Sequence, residues 1–267
     1  MLSGKRALIT GSTRGIGKAI AKSLANNGCE VVITGKSIQS TEKLPGCVYS
    51  VAEEIGELAH PMPLNLRNEG EIIETVEKVK NLGGLDILIN NASAMWWKPV
   101  ELTSLKHFDL MHDVNVRATY GLTRECLPLL LENGGHVITH SPPIDNTNLN
   151  WLSNRVAYGS SKLGMTLVSL GFSQEFSKKG VAFNTIWPST PIESHALINN
   201  KLGNPKMWRK PKIIADCILE MVQEDPATFT GLSWIDSNYL ASKGKTDLSE
   251  YRCVENYEPP PLDKILS

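Results

Sequence analysis

An α/β fold of the doubly wound class is the architecture that this sequence predicts, with one mostly parallel sheet and helices on both of its faces. Short apolar runs rich in β-branched residues alternate with segments of helical periodicity, which is typical of βαβ units. The predicted strands are apolar throughout, as strands are when helices cover both faces of the sheet. Glycines follow the predicted helices at Gly83-Gly84, Gly134-Gly135 and Gly180, where helix ends favour them.

The elements that these patterns predict follow one another along the chain. The strands are expected at residues 7–10, 31–34, 85–89, 136–139 and 181–187, and the helices between them at residues 15–27, 68–81, 104–131 and 154–179. Asn68 and Ser104 stand where N-caps are expected. The third of these helices carries an apolar residue at every fourth position, which predicts a buried stripe: Leu110, Val114, Ala118 and Leu122.

Two long loops interrupt the alternation, at residues 142–155 and 187–211. Loops of this length in a compact domain are usually binding loops or lids. The 267 residues fit a single domain, because large α/β folds reach about 250 residues as one unit. We expect that domain to span residues 1–240, with residues 241–267 as an irregular tail over its surface.

The charge balance argues against some partners. With 27 basic and 28 acidic residues, the chain has no global field to attract nucleic acid or an anionic membrane, so we expect neither partner. The five cysteines lack the spacing of a metal site or a disulfide framework, and we therefore expect no metal. No apolar run reaches the roughly 20 residues that span a bilayer, and no signal-peptide pattern follows Met1. We expect a cytoplasmic protein that acts on small molecules.

A glycine-rich turn follows the first predicted strand. The segment Thr10-Gly11-Ser12-Thr13-Arg14-Gly15-Ile16-Gly17 leads directly into a helix. Such a turn lets backbone N–H groups approach a pyrophosphate at the positive end of the helix. Glycines between a strand and a helix also occur for close packing alone, so the motif needs support from other residues.

Tyr158 and Lys162 supply that support. Residues four positions apart lie on one face of a helix, and both fall at the start of the last predicted helix. A nearby ammonium favours phenolate over phenol, so we expect Lys162 to lower the pKa of Tyr158 toward neutral pH. A tyrosine of this kind can exchange a proton with an alcohol or carbonyl oxygen.

The TGxxxGxG spacing and the YxxxK pair after the fifth strand resemble the short-chain dehydrogenase/reductase family. The segments at residues 44–49 and 52–55, together with Ser141-Pro142-Pro143 and Trp187-Pro188, look like the dehydrogenase domain of the hydroxysteroid dehydrogenase-like proteins. The resemblance covers roughly residues 5 to 236. Few residues follow this region, and we therefore expect no lipid-transfer domain of the kind that some relatives carry.

The resemblance implies a Rossmann domain that is both dinucleotide-binding and catalytic. Tyr158 is then the acid or base, Lys162 also holds the nicotinamide ribose, and Asn115 anchors a water that relays the proton. The cofactor-binding positions that it implies are Gly11, Ser12, Thr13, Arg14, Gly15, Ile16, Gly17, Lys36, Asn65, Leu66, Asn91, Ala92, Tyr158, Lys162, Pro188 and Ser189. It also implies a homo-oligomer, a dimer or tetramer, formed through the helices that hold Asn115 and Tyr158.

The end of the second strand favours NADP over NAD. In the family, an acidic residue there binds the ribose 2′-hydroxyl of NAD, whereas here the strand ends Thr34-Gly35-Lys36. Lys36 and Arg14 would attract the 2′-phosphate of NADP, which a carboxylate would repel. The alternative is that both cations are solvated surface charges.

One position departs from the family's catalytic pattern. The family's fifth strand ends in two serines, of which the second orients the substrate oxygen; here Ser141 matches the first and Pro142 the second. Proline has no hydrogen-bond donor. Ser141 therefore takes the role through a shifted loop, or another group fills it, or catalysis is weakened. A smaller departure is Ser93, where the family has glycine, which narrows the space near the ribose.

The substrate side is rich in large apolar residues that follow strand ends: Met95, Trp96, Trp97, Trp151, Trp187, Met207 and Trp208. Rings and thioethers of this kind form pockets for bulky lipophilic ligands. They can also serve only to pack a lid onto the body.

Together these observations predict an NADP-dependent oxidoreductase. Hydride would pass between nicotinamide and a lipophilic carbonyl or alcohol, such as a steroid, isoprenoid or fatty aldehyde, with Tyr158, Lys162, Ser141 and Asn115 as the catalytic residues. Two alternatives stay open: a catalytically weak NADP-binding regulatory protein, and a dehydratase or epimerase of the same fold.

Overall fold

Seven parallel strands form one sheet in the computed structural model, which describes residues 2–42, 44–145, 150–176 and 178–262. They are β1 (Arg6–Ile9), β2 (Glu30–Gly35), β3 (Ala59–Pro63), β4 (Ile87–Asn90), β5 (Gly135–His140), β6 (Val181–Trp187) and β7 (Ser233–Ile235). Their order across the sheet is β3-β2-β1-β4-β5-β6-β7, and every pairing is parallel. The predicted doubly wound α/β fold is confirmed.

Helices cover both faces of this sheet. They are α1 (Gly15–Asn26), α2 (Val48–Ile55), α3 (Glu69–Asn81), α4 (Leu105–His112), α5 (Ala118–Asn133), α6 (Val156–Phe176), α7 (His195–Asn199), α8 (Lys212–Met221) and α9 (Asp236–Ser242). Because successive strand residues point to opposite faces, Ile9 packs in the core with α1 and α8, whereas Leu8 packs with α3 and α5. None of the helices in the described ranges is long and apolar enough to cross a membrane.

Several elements differ from the sequence prediction, which included neither β3 nor β7 among the strands. Strand β3 contains Pro61 and Pro63, which hid it from the pattern, and it lies at the sheet edge, where prolines are tolerated. The helix expected at residues 104–131 is divided by wide π-type turns at Asp113–Arg117. Its apolar stripe is divided as well, since Leu110 and Val114 face a cleft while the rest of the stripe is buried.

Of the two predicted N-caps, one forms a cap hydrogen bond and the other does not. The Asn68 Oδ1 atom accepts a hydrogen bond from the Gly70 N–H at 3.0 Å, as a cap does. The Ser104 side chain makes no cap bond and instead pairs with the His107 ring at 3.0 Å.

The segment after β7 packs into the body of the domain. Helix α9 runs across residue 240, where we expected the tail to begin, and Tyr251 is fully buried. The Tyr251 hydroxyl donates a hydrogen bond to Asp216 of α8 at 2.7 Å. Leu262 reaches the carboxyl edge of the sheet, where its N–H donates to the Ser189 carbonyl at 2.8 Å. Residues 263–267 lie outside the described residues.

Candidate active site

A cleft of about 680 Å³ lies at the carboxyl edge of the sheet, where the chain switches from one side of β1 to the other. Ligands of doubly wound folds bind at such switch points. Of the predicted cofactor residues, the cleft is lined by Gly11, Thr13, Arg14, Gly15, Ile16, Gly17, Lys36, Asn65, Leu66, Asn91, Ala92, Pro188, Tyr158 and Lys162. Ser12, Ser189 and the predicted catalytic Ser141 are not among its lining residues.

The glycine-rich turn has the shape that a pyrophosphate requires. Gly11 and Gly15 adopt φ angles of +65° and +52°, which residues with a side chain rarely adopt. A Cβ atom on Gly17 would lie 2.4 Å from the Gly11 carbonyl oxygen. Helix α1 begins at Gly15, and no side chain caps it, so its first N–H groups are available to an anion. The turn therefore fits the phosphates of a dinucleotide.

The polar groups of Ser12 and Ser189 form hydrogen bonds within the protein. Ser12 is fully buried, and its hydroxyl donates to the Ile9 carbonyl at 2.9 Å while accepting from the Thr34 N–H. The Ser189 N–H donates to Asp236 at 2.8 Å, and its hydroxyl accepts from Arg209 at 3.1 Å. Both serines therefore hold the turns beside the cleft in place.

Arg14 and Lys36 lie where the β1 and β2 turns meet. The Arg14 guanidinium donates to the Ser37 hydroxyl at 2.8 Å and to the Gly46 carbonyl at 3.0 Å, so it fastens the loop at residues 37–46 onto the glycine-rich turn. Lys36 is exposed at the rim of the cleft. Two cations thus lie at the end of the cleft where β2 stops.

The turns after β3 and β4 complete this wall. The Asn91 side chain donates to the Thr10 carbonyl at 2.9 Å, and the Ala92 N–H donates to the Thr10 hydroxyl at 2.9 Å. The Asn65 N–H donates to Glu71 at 2.7 Å. These bonds fix the edges of the cleft against β1 and α3.

Tyr158 and Lys162 lie on the first turns of α6, and both side chains face the cleft although they are almost completely buried. The Tyr158 ring packs edge-on against Trp97 with 5.8 Å between the ring centroids. The Lys162 ammonium donates to the His140 carbonyl and lies 5.4 Å from the centre of the Trp187 ring. The predicted pair is therefore brought together in a dry, aromatic end of the cleft.

Burial dominates the electrostatics of this pair. It lowers the pKa of Lys162 to about 7, because the charged ammonium loses its water. It raises the pKa of Tyr158 above its ordinary value, opposite to the direction that we expected from Lys162. The ammonium points at the His140 carbonyl, and the group that lowers the tyrosine pKa is the Ser93 side chain through a hydrogen bond.

Asn115 lies in the π-type turns and joins two walls of the cleft. Its Oδ1 atom accepts from the Ala94 N–H at 2.8 Å, and its Nδ2 atom donates to the Ala94 carbonyl at 3.0 Å. The same Nδ2 atom donates to the Ser161 hydroxyl at 2.8 Å, which in turn donates to the Tyr158 carbonyl. The side chain that we expected to anchor a water thus holds the β4 turn beside α6.

Ser141 does not reach the cleft. It is fully buried, and its hydroxyl accepts from the Thr166 hydroxyl of α6 at 2.8 Å. We expected Ser141 to face the substrate, but the residue of β5 that lines the cleft is His140. The strand keeps its alternation up to His140, so the next residue turns toward α6. The donor role predicted for Ser141 therefore needs another group.

Replacing Ser141 by alanine should therefore affect stability more than turnover. The loss of the bond to Thr166 in a buried site is expected to cost about 1 kcal/mol of unfolding free energy. Urea unfolding and steady-state kinetics on the same variant test this expectation. A loss of about two orders of magnitude in turnover with unchanged stability would return Ser141 to the catalytic set.

Ser93 lines the cleft beside Tyr158, a proximity that the sequence did not indicate. Its hydroxyl lies beside Tyr158 in the cleft and lowers the pKa of that phenol. The backbone of the next residue, Ala94, is held on both sides by Asn115. The only signal in the sequence was the serine in place of the family's glycine, which we interpreted as a change in space rather than in chemistry.

The large apolar residues after the strands divide into two groups. Met95, Trp97 and Trp187 line the cleft, together with residues of α7. Trp96 instead stacks on His107 at 3.8 Å, and Trp208 is buried with its ring N–H bonded to the Leu202 carbonyl at 3.1 Å. Three of the seven predicted residues therefore form the cleft wall. Trp96 and Trp208 pack loops, and Trp151 and Met207 are not among the lining residues either.

A sequence profile of the short chain dehydrogenase family matches residues 5–198, and the chain therefore belongs to this family. Within it, the chain is 40% identical to Hydroxysteroid dehydrogenase-like protein 2 from Homo sapiens over 258 residues. It is also 40% identical to the Xenopus tropicalis protein of that name over 256 residues, and each match covers 94% of this chain. The chain spans about three fifths of the length of these relatives.

Solved structures give the same assignment. A short chain dehydrogenase from Mycobacterium thermoresistibile is 37% identical with a TM-score of 0.89, and the match covers 98% of this chain and 95% of that one. A metagenomic short-chain oxidoreductase in complex with NADP is 26% identical with a TM-score of 0.71, covering 88% of this chain and 96% of that one. The predicted family and its fold are confirmed, and these two solved relatives are a dehydrogenase and an oxidoreductase by name.

Proposed function

We propose that the protein is an NADP-dependent oxidoreductase for lipophilic carbonyl compounds or alcohols. The observation that carries this proposal is the buried Tyr158 and Lys162 pair at the end of a cleft walled by Met95, Trp97 and Trp187. Apolar walls around one proton-transfer group suit a large hydrophobic substrate with a single polar oxygen. Steroids, isoprenoids and fatty aldehydes belong to that class.

The residues of the chain would handle the proton. Reduced NADP, when bound, supplies the hydride that reaches the carbonyl carbon. The Tyr158 hydroxyl would give its proton to the carbonyl oxygen, and in the reverse direction the phenolate would take the proton from the alcohol. Lys162, which lines the same end of the cleft, would bind the nicotinamide ribose. Trp97 and Trp187 exclude water from this exchange.

A direct assay tests the proposal. NADPH oxidation is followed with a panel of lipophilic aldehydes, ketones and quinones, together with cofactor binding by fluorescence. Turnover of at least one lipophilic carbonyl is the expected result. Binding without any turnover would favour a regulatory NADP-binding protein. Turnover with the cofactor retained and recycled would favour a dehydratase or epimerase.

Lys36→Ala should weaken NADPH binding by about tenfold to a hundredfold, because a charge-assisted hydrogen bond to the 2′-phosphate contributes about 1.5–3 kcal/mol. Lys36 is the better test position, since Arg14 also holds the loop at residues 37–46. Lys106→Ala, an exposed lysine on α4, is the matched control. Equal wild-type affinities for NADPH and NADH, or an unchanged affinity in Lys36→Ala, would argue against NADP preference.

Ser93→Ala should move the pH dependence of turnover toward alkaline pH. The Ser93 hydrogen bond lowers the pKa of Tyr158, so its removal raises that pKa. Alcohol oxidation requires the phenolate, and its rise with pH is therefore expected at higher pH in the variant. Ser93→Thr, which keeps a hydroxyl, should retain the wild-type profile. Identical profiles for wild type and Ser93→Ala would remove Ser93 from the proton path.

We also propose that the protein is a homo-oligomer and that it is located in the cytoplasm. Tyr120 on α5 and Leu167 on α6 are half exposed or more, which supports a homo-oligomer formed through these helices. All five cysteines are free, which supports a cytoplasmic location.

A further inference from the structure

His140, the last residue of β5, carries a polar atom that the described part of the protein leaves without a partner. The residue is 9% exposed and lines the cleft, with its ring 5.5 Å from the Trp187 ring. Its backbone carbonyl accepts the Lys162 hydrogen bond, but its Nε2 atom is buried and has no hydrogen bond. A buried polar atom of this kind needs a hydrogen-bond partner, and in a cleft that partner is a water or an atom of the bound ligand.

The strand places this nitrogen on the side where the family's donor is missing. Side chains alternate along β5, so His140 shares a face with Ile138, whereas Ser141 points to α6. Pro142 offers no donor. His140 is therefore the residue at the end of β5 that has a side-chain donor on the cleft side.

The imidazole is suited to a neutral oxygen. Burial, together with the Lys162 charge, lowers the pKa of His140 to about 3, so the ring is uncharged at physiological pH. A neutral imidazole has one N–H, and when Nε2 carries it this atom is a donor without charge. Such a donor matches a carbonyl oxygen better than a phosphate.

We propose that the Nε2–H group of His140 binds a carbonyl oxygen in the cleft, either that of the nicotinamide carboxamide or that of the substrate. The proposal rests on the proposed function, because both ligands belong to a carbonyl-reducing site. The two sources share the same chemistry and differ in when the bond forms. The carboxamide would engage His140 once cofactor binds, and the substrate oxygen only afterwards.

Two variants of His140 and one NMR spectrum distinguish the nicotinamide carboxamide from the substrate as the source of the carbonyl oxygen. His140→Leu removes the donor, whereas His140→Gln keeps an N–H₂ group near the position of Nε2. If the carboxamide is the ligand, His140→Leu weakens NADPH binding about tenfold. If the substrate oxygen is the ligand, NADPH affinity is unchanged and decanal binds about tenfold more weakly to the NADP⁺ complex, which cannot turn over. In both cases His140→Gln should recover most of the affinity.

The spectrum uses protein labelled with ¹⁵N-histidine, with the His140 signals assigned by their loss in His140→Gln. A downfield shift of the Nε2–H proton on addition of NADPH, or on addition of decanal to the NADP⁺ complex, supports the proposal. No shift at either step, or equal affinities in wild type and His140→Leu, overturns it. Failure of the wild type to bind NADPH at all would instead overturn the proposed function, and this proposal with it.

Discussion

Tyr158→Phe is expected to lower turnover by about 10² to 10⁴ while leaving NADPH affinity unchanged. The phenyl ring keeps the edge contact with Trp97, so the packing of the cleft survives and only the transferable proton is lost. Steady-state kinetics on the carbonyl that the panel identifies, with a fluorescence titration of NADPH, measures both quantities.

Tyr49→Phe is the matched control, because Tyr49 is half exposed on α2 and outside the cleft. It should keep wild-type turnover. If Tyr158→Phe also kept full activity with a good substrate, Tyr158 would not be the proton donor. The site would then need reconsideration as an isomerase or a binding protein.

Gly17→Ala is expected to damage both folding and cofactor binding. The new Cβ atom would lie 2.4 Å from the Gly11 carbonyl oxygen and 2.6 Å from the side-chain Nδ2 atom of Asn91. Neither contact is with the end of a freely moving side chain, since Gly11 is backbone and Asn91 is bonded to Thr10. Overpacking of this kind costs about 1–3 kcal/mol, which lowers the melting temperature by several degrees.

Gly171→Ala is the control for this substitution. Gly171 lies in α6, and a Cβ atom there would meet no other atom within 4 Å. Alanine at that helical position should stabilise the protein by up to about 1 kcal/mol. Calorimetry and NADPH titration of both variants give the comparison. A Gly17→Ala protein with wild-type stability and affinity would show that the turn is looser than its geometry indicates.

The strands that are buried on both faces could be predicted from the sequence. Such strands are apolar throughout, and short continuous apolar runs such as residues 31–34 indicate them directly. The sequence did not reveal β3, since an edge strand needs fewer ladder bonds and accepts Pro61 and Pro63. The π-type turns around Asn115 were also hidden. One extra residue in a helical turn leaves the hydrophobic spacing almost unchanged on either side.

The candidate site also combines features that local sequence predicts with features that only the folded chain reveals. The Tyr158 and Lys162 pair lies within one helix, so local spacing was enough to predict that both side chains line the same cleft. The neighbour of Ser93 is Tyr158, 65 positions away in the chain, and only the folded β4 turn brings them together. The direction of Ser141 depended on whether Pro142 shifts the end of β5. Proline patterns alone do not fix that direction.

The position of Leu262 has a practical consequence for handling the protein. Its N–H is bonded to the Ser189 carbonyl, and its side chain lines the mouth of the cleft. Leu2, by contrast, is bonded to Asn27 just before β1, at the opposite edge of the sheet. A purification tag, a fluorophore or a surface linker should therefore be joined at the amino end. A label placed at position 262 itself would lie at the wall of the cleft.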